Sequence, residues 1–159
     1  MKEKLGLVLS AKFGLIVLLF LMPFIKVSCS GMVNMPLSGM DLATGTTIET
    51  KEPFSGKVQK QKVDAEPFAA IALGAAVLGL LIGFIKAKPA RIVNAVTGGA
   101  GAVFLLLLKN KIDKEVLKEG GGMISVNYEM GFWITILLFI TAVIVSIYAA
   151  SVSSQPKIE

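Results

Sequence analysis

Four long apolar segments constrain this chain more than any other feature. They cover residues 5–25, 68–85, 92–108 and 132–150 of a chain of 159 residues. A helix rises about 1.5 Å per residue, so segments of this length approach the thickness of a bilayer's hydrocarbon core, roughly 30 Å. The mean hydropathy is +0.74, which is high for a water-soluble domain. We therefore predict one mainly α-helical membrane domain, residues 1–159, that crosses a bilayer four times.

Residues at the ends of these segments support the four crossings. Pro67 precedes the second segment, where its missing N–H costs nothing in a first helical turn. The basic connection 86–91 is short, so the third segment must return directly as a hairpin. Tyr128 and Trp133 near one end of the fourth segment, and Tyr148 near the other, are typical of aromatic rings at the two membrane interfaces. An even number of crossings places both termini on one side.

The distribution of charge favours cytoplasmic termini. With that orientation seven Lys and Arg lie inside and nine Lys outside, but the inner ones crowd short segments beside helix ends, where the positive-inside rule applies. Nine acidic residues balance the nine outer lysines, so the net charge of +5 lies inside. We predict a multi-pass protein of the cytoplasmic (inner) membrane with both termini cytoplasmic.

The residue types exclude several kinds of chemistry. There is no His and a single Cys, so histidine acid/base chemistry, His or Cys metal clusters and an intramolecular disulfide are all excluded. We predict no catalytic residue, no cofactor and no metal site, and a protein that is not an enzyme; an enzyme would need carboxylates, Lys or Cys29 on the outer segments. No basic run is interleaved with aromatic residues, which argues against nucleic acid as a partner.

Cys29 follows the first apolar segment, so lipoprotein cleavage before it is an alternative to a first crossing. The position three residues before the cysteine normally holds a small or branched apolar residue, and Lys26 stands there. We interpret Cys29 as a free thiol, with an intermolecular bridge as the alternative.

The extracytoplasmic segments 26–66 and 109–131 have sequence patterns typical of secondary structure rather than of flexible linkers. Short runs rich in Val, Thr and Ile predict strands. The run 57–63 also carries lysines, which are typical of a solvent-exposed edge strand. The predicted strands are 26–30, 33–37, 46–50, 57–63 and 123–129. Asp41 is expected to serve as a turn or helix-cap residue. We expect the third helix to continue over 109–119 as an amphipathic extension, because Ile112, Val116 and Leu117 recur at helical spacing. The two segments together are expected to form a small antiparallel β-sheet.

This layout resembles the claudin-like tetraspan architecture: four helices, a long first outer loop of about four strands, a short second loop with one strand, and a long third helix. That family's first loop carries a Trp, a Gly-Leu-Trp and two Cys, whereas this loop has no Trp and only Cys29. The resemblance thus implies the layout and not a barrier or channel function. Residues 22–29 and 37–45 resemble small bacterial four-helix membrane proteins of unknown function, which implies a bacterial inner membrane.

Small residues recur at intervals of three or four on the second and third segments, where absent side chains let another backbone approach closely. They are Ala75, Gly79 and Gly83 on the second segment and Ala95, Gly98, Gly99 and Ala102 on the third. One interpretation is packing of these two helices against each other. The other is a docking face for a further subunit.

Lys12 and Asn94 are polar residues inside the apolar segments, and such residues are functional candidates. Lys12 lies within about two turns of the membrane border, so its ammonium can reach the headgroups. Asn94 is expected to hydrogen-bond across to a neighbouring helix. No segment contains Asp or Glu, which disfavours a proton-coupled transporter or cation channel.

Together these features predict a structural, accessory or assembly subunit of a membrane complex. Its expected partners are the lipid bilayer and either other membrane-protein subunits or further copies of itself. A self-associating pore or small transporter is the alternative function.

Overall fold

The structure, a computed structural model, describes residues 2–29, 33–51, 58–85, 88–119 and 124–153. It is mostly helical with a small antiparallel sheet. The helices are α1 (Lys2–Leu19), α2 (Gly39–Thr44), α3 (Pro67–Gly83), α4 (Lys88–Glu119) and α5 (Met130–Ser153). The strands are β1 (Pro23–Cys29), β2 (Val33–Ser38), β3 (Thr46–Lys51), β4 (Val58–Val63) and β5 (Ile124–Tyr128).

The four long helices form an antiparallel bundle, in which α1 packs on α3 and α5, and α4 packs on α3 and α5. Aromatic rings fill its centre. The Phe13 and Phe139 rings meet edge to face with centroids 6.4 Å apart, and both are fully buried. Phe24 contacts Phe20 and Phe132 at centroid distances of 4.9 and 5.8 Å. The bundle therefore has a solid core.

Apolar side chains also cover the outward faces of all four long helices. Examples that are at least two-fifths exposed are Leu15, Leu18, Leu78, Leu81, Val96, Val103, Leu137 and Ile144. Among the described residues, two helical stretches are long and apolar enough to cross a membrane, Pro89–Lys118 and Met130–Ser151. Two further apolar stretches, Gly6–Leu19 and Pro67–Gly83, fall short of that length.

The first predicted segment, 5–25, is too long at its C-terminal end. Helix α1 ends at Leu19, a turn follows, and β1 begins at Pro23. Proline has no N–H to continue the helical ladder, which favours an end to the helix before it. Phe24 and Ile25 are buried, so their apolar character reflects burial of β1 rather than a longer helix. The second segment, 68–85, similarly extends two residues beyond the end of α3.

Strand β1 lies between β2 and β5, which joins the two outer segments in one antiparallel sheet as predicted. Ile25 stands opposite both Leu37 and Tyr128, and Val27 stands opposite both Met35 and Val126. Because side chains alternate along a strand, these pairs give the sheet one largely apolar face. The strands predicted at 46–50 and 57–63 are observed as β3 and β4, with residue 57 outside the described residues. They pair with each other as a separate ribbon.

The short helix α2 closes the end of the bundle that carries the sheet. Asp41 is a cap residue, as expected: its Oδ2 accepts from Ser38 N at 3.0 Å, and Ser38 Oγ accepts from Asp41 N at 3.1 Å. This reciprocal pair satisfies donors that a helix start leaves free. Met40 N donates to Phe20 O at 2.7 Å, which seats α2 over the end of α1.

The amphipathic extension of the third predicted helix is also confirmed, because α4 continues to Glu119. Ile112 is buried and Val116 packs against the core. Leu117, which the helical spacing placed with them, is 82% exposed instead. The strand predicted at 123–129 is observed over Ile124–Tyr128 as β5, and residue 123 lies outside the described residues.

Candidate functional site

We call the end of the bundle that carries the sheet the outer end, and the end at the α3–α4 connection the inner end. Charged and phenolic side chains gather at the outer end where the helices meet the sheet. These residues, named here the outer collar, are Lys26, Glu66, Lys109, Lys111, Asp113, Tyr128 and Glu129. They come from β1, the residue before α3, the α4 extension, β5 and the residue after it.

The centre of the outer collar is a contact between β5 and α4. Tyr128 Oη donates to Asp113 Oδ1 at 2.7 Å, and Lys109 Nζ donates to Asp113 Oδ2 at 2.7 Å. Lys109 Nζ also lies 5.0 Å from the centre of the Tyr128 ring, within cation–π distance. One carboxylate thus holds a phenol and an ammonium together.

The contact shifts the pKa values of Asp113 and Tyr128 in opposite directions. The hydrogen bond from Lys109 lowers the pKa of Asp113, and the bond from Tyr128 adds to that effect. Burial raises the pKa of Tyr128 far above its ordinary value, and the Asp113 carboxylate raises it further. Asp113 therefore stays ionised and Tyr128 stays protonated near neutral pH. This arrangement suits a structural clamp better than general acid or base catalysis, which needs a pKa near the working pH.

Two further ion pairs complete the outer collar. Lys111 Nζ lies 2.7 Å from Glu66 Oε2, which joins the α4 extension to the chain entering α3. The hydrogen bond to Glu66 raises the pKa of Lys111. Lys26 Nζ lies 2.9 Å from Glu129 Oε1, which joins β1 to the residue that precedes α5. Each pair ties an outer segment to a helix of the bundle.

A shallow pocket of about 390 Å³ lies at the base of the β3–β4 ribbon. Its lining consists of Thr44, Gly45, Thr46, Thr47, Lys62, Val63, Asp64 and Ala65. Its two charged side chains pair at 3.5 Å and are each at least four-fifths exposed. Solvated charges of this kind leave little energy for holding a ligand. Among the described residues, no three His, Cys, Asp or Glu side chains cluster as a metal site would require.

Gly79 and Gly83, two of the three small residues predicted on α3, lie against α1. A Cβ built on Gly79 would overlap the ring of Phe13, and one on Gly83 would lie 2.6 Å from Ser10 Oγ. Ala75 is also buried. The two helices of the hairpin pack on each other as well, with the rings of Phe68 and Phe104 stacked at 6.2 Å. The glycines of α3 nevertheless serve contacts with α1, which sequence spacing alone could not specify.

Gly98 and Gly99, two of the four small residues predicted on α4, lie towards α5. A Cβ on Gly98 would lie 3.1 Å from Val143 Cγ2, and one on Gly99 would lie 4.0 Å from the same atom. Gly101, which the spacing argument did not single out, makes the closest approach, because a Cβ there would overlap the Phe139 ring. Ala102 is buried and Ala95 is half-buried.

Lys12 is half-buried on α1 and sits near the inner end. Its neighbours in the helix, Ser10 and Gly14, lie against Gly83 and Leu80 in the last turn of α3. Lys12 is therefore about one turn from the point where α3 ends, a depth from which a lysine side chain can reach a membrane surface.

Asn94 is 2% exposed, and its Oδ1 has no hydrogen-bond partner among the described residues. The expected bond across to a neighbouring helix is thus not observed for this atom. Ser146 on α5 is fully buried, and its hydroxyl also has no hydrogen-bond partner among the described residues. The buried Thr135 hydroxyl, by contrast, donates to Gly131 O of its own helix at 2.7 Å. Arg91 Nη1 donates to Ala149 O at 2.7 Å. Asn94 and Ser146 each lie three residues from this contact along α4 and α5.

Cys29 ends β1, where it pairs with Val33 and Ile124 in the sheet ladder. The prediction of a free thiol concerns its side chain, which lies outside the described part of the structure. Residues 86 and 87 of the predicted hairpin turn lie outside the described residues too.

No sequence motif marks the outer collar. Its charged residues lie far apart in the chain, and the helical spacing of 109–119 predicts an amphipathic helix without saying what its charged residues contact. The usable signal was Tyr128 on the apolar side of a strand, because a buried phenol needs a partner.

No protein-family model, curated protein or solved structure matches this chain.

Proposed function

We propose that this chain is an integral protein of the cytoplasmic membrane that crosses the bilayer four times, with both termini in the cytoplasm. The main support for this proposal is that all four long helices have apolar outward faces. Exposed Leu, Ile and Val on every side of a bundle suit lipid rather than water, because large apolar patches are rare on soluble monomers.

The depth of the apolar zone agrees with this proposal. On α4 the charged residues Arg91 and Lys109 lie 18 residues apart, a rise of about 27 Å in a helix. Helix α3 has 17 residues without a charge, a length of about 26 Å. Both values approach the thickness of a bilayer's hydrocarbon core, about 30 Å.

Helices α1 and α3 are shorter than α4 and α5, but they pack alongside them. The Phe13–Phe139 contact joins α1 to α5, and the Phe68–Phe104 contact joins α3 to α4. Because the outward faces of α1 and α3 are also apolar, they would share the same lipid layer. The turn at Phe20 and the buried start of β1 continue the apolar path of α1 towards the outer end.

Within the membrane we propose a non-enzymatic role as a structural, accessory or assembly subunit. The polar side chains of the outer collar are paired with one another and serve to fix the sheet on the bundle. The result would be a rigid outer head on a lipid-embedded stalk, a form suited to holding another membrane protein. Candidate partner surfaces are the outward helix faces and the β3–β4 ribbon.

The alternative, a pore or small transporter, is less well supported by the geometry. Fully buried phenylalanine rings and Leu105 occupy the bundle centre, so a path through a single copy would need them to move. A pore would instead require several copies around a shared axis.

Capture from native membranes tests the proposed role. The tagged chain is extracted in mild detergent, and its complex is sized by native electrophoresis, with partners identified by mass spectrometry. We expect a defined complex with a second membrane protein. A lone monomer would contradict the accessory role, and a homo-oligomer that passes solute in liposomes would favour the pore.

A further inference from the structure

The outer strands of the sheet and of the ribbon differ in how they are protected against further pairing. Edge strands usually carry charged residues or proline, which hinder the addition of another strand. Strand β2 contains Pro36, β3 contains Glu49 and β4 contains Lys60. Strand β5, with the sequence Ile-Ser-Val-Asn-Tyr, contains neither a charged residue nor a proline. It is therefore the edge strand best suited to accept a further strand.

The backbone of β5 directs three residues towards its outer edge. Glu129 N donates to Phe24 O at 2.8 Å, so the backbone of residue 129 faces β1. Backbone direction alternates along a strand, so Ile124, Val126 and Tyr128 point their N–H and C=O groups away from β1. Among the described residues, no strand pairs with this outer edge.

A second copy of β5 is complementary to this edge. In a symmetric antiparallel pair centred on Val126, that residue lies opposite its own counterpart, and Ile124 lies opposite Tyr128 of the other copy. These are the residues whose backbone faces the edge, so every outward N–H and C=O gains a partner. Ser125 and Asn127, which are exposed, lie opposite each other on the other face. Apolar side chains thus meet apolar ones, polar side chains meet polar ones, and no like charges are opposed.

We propose that two copies of this chain associate through the outer edges of β5, as antiparallel strands centred on Val126. The three-stranded sheets of the two copies then form one continuous sheet with a shared apolar face. An extended segment of another protein could use the same backbone groups, but the match between the two halves of β5 favours a second copy. The pairing does not use the outward helix faces, so it goes beyond the proposed accessory role and does not depend on it.

Charges placed at the two exposed positions test the association. Because Ser125 lies opposite Asn127 of the other copy, S125E/N127E opposes like charges across the edge, whereas S125K/N127E opposes unlike ones. Within one copy residue 127 lies opposite Lys26, so the carboxylate that both variants share at 127 should be tolerated. The mass of the detergent-solubilised protein is measured by light scattering over a range of concentrations. We expect dimers for the wild type and S125K/N127E, and a dissociation constant raised about tenfold or more for S125E/N127E. Similar unfolding midpoints for the two variants would show that both are folded.

Disulfide cross-linking tests the register. In a Cys29→Ser background, a chain carrying S125C is co-expressed with a differently tagged chain carrying N127C. These positions form a pair without hydrogen bonds, with Cα atoms about 4.5 Å apart, which is within reach of a disulfide. Two S125C positions would lie about 8 Å apart, beyond that reach. We expect covalent dimers of S125C with N127C, and few or none of S125C with itself.

Three results would overturn the proposal. They are a monomer at every concentration, equal dissociation constants for the two charge variants, and equal cross-linking of S125C to itself and to N127C. A complex that holds one copy of this chain, with position 125 cross-linked to another protein, would also overturn it and would assign the edge of β5 to that protein. None of these results alters the membrane location, which is tested separately.

Discussion

The ring of Phe13 on α1 occupies the space that a side chain on Gly79 of α3 would need. Gly79→Ala should therefore force the two helices apart and lower the free energy of unfolding by about 1–3 kcal/mol, as overpacking does in other cores. The measurement is the thermal unfolding midpoint of the purified protein in detergent. Gly74→Ala on the same helix is the control, because a Cβ there would meet nothing within 4 Å. Equal midpoints for the two variants would contradict the close contact.

The clamp between β5 and α4 predicts an unusual tyrosine titration. In a Tyr148→Phe background Tyr128 is the sole tyrosine, so absorbance of tyrosinate at 295 nm reports its ionisation alone. Burial and the Asp113 carboxylate raise its pKa, and the midpoint should lie well above pH 10 in the folded protein. Asp113→Asn should move it lower without removing the shift caused by burial. A midpoint at pH 10 in the Tyr148→Phe protein would show that the clamp does not form.

The same clamp predicts a loss of stability in acid. Lys109 and Tyr128 lower the pKa of Asp113 below its value in the unfolded chain, near 3.9. The stabilisation is thus present above pH 4 and is lost as pH falls through the lowered pKa. The fall in unfolding midpoint between pH 5 and pH 2 should be smaller for Asp113→Asn than for the wild type. Identical pH profiles would contradict a role for this carboxylate.

The strands and the cap were predictable because their signals are local. Alternating Val, Thr and Ile residues predict β3 and β5 within two residues of their observed ends. The residues around Asp41 predict a turn or helix cap, and Asp41 takes part in the capping box of α2, whose N-cap is Ser38. The end of α1 was not predictable from hydrophobicity, since Phe24 and Ile25 are equally apolar whether buried in a helix or in β1. Which helix Gly79 would face was also not predictable, because a small-residue stripe fits any neighbour.

Unlike a substitution at Gly79, a substitution at Asn94 is not expected to lower the free energy of unfolding. Its Oδ1 is buried without a hydrogen-bond partner in the described residues, so Asn94→Leu removes an unsatisfied acceptor at similar volume. The unfolding free energy should stay within about 1 kcal/mol of the wild type or rise. Thr135→Val is the comparison, because it removes a buried hydroxyl that is bonded to Gly131 O, and it should cost about 1 kcal/mol.

A loss of more than about 2 kcal/mol for Asn94→Leu would contradict the unsatisfied state of that atom. It would mean that Oδ1 has a hydrogen-bond partner, either the Ser146 hydroxyl or a bound molecule. The double variant with Ser146→Ala separates these cases, because two directly bonded groups give non-additive losses.

The central claim is a four-span protein with both termini in the cytoplasm, and cysteine accessibility tests it most directly. In a Cys29→Ser background, intact cells are treated with a membrane-impermeant maleimide. Single cysteines are placed at Lys2, Lys60, Ala87, Lys114 and Ser151. We predict labelling at positions 60 and 114 in intact cells, and labelling at 2, 87 and 151 only after the membrane is permeabilised. Labelling of 87 in intact cells alongside 60 and 114, or recovery of the chain in the soluble fraction, would contradict the four-span arrangement.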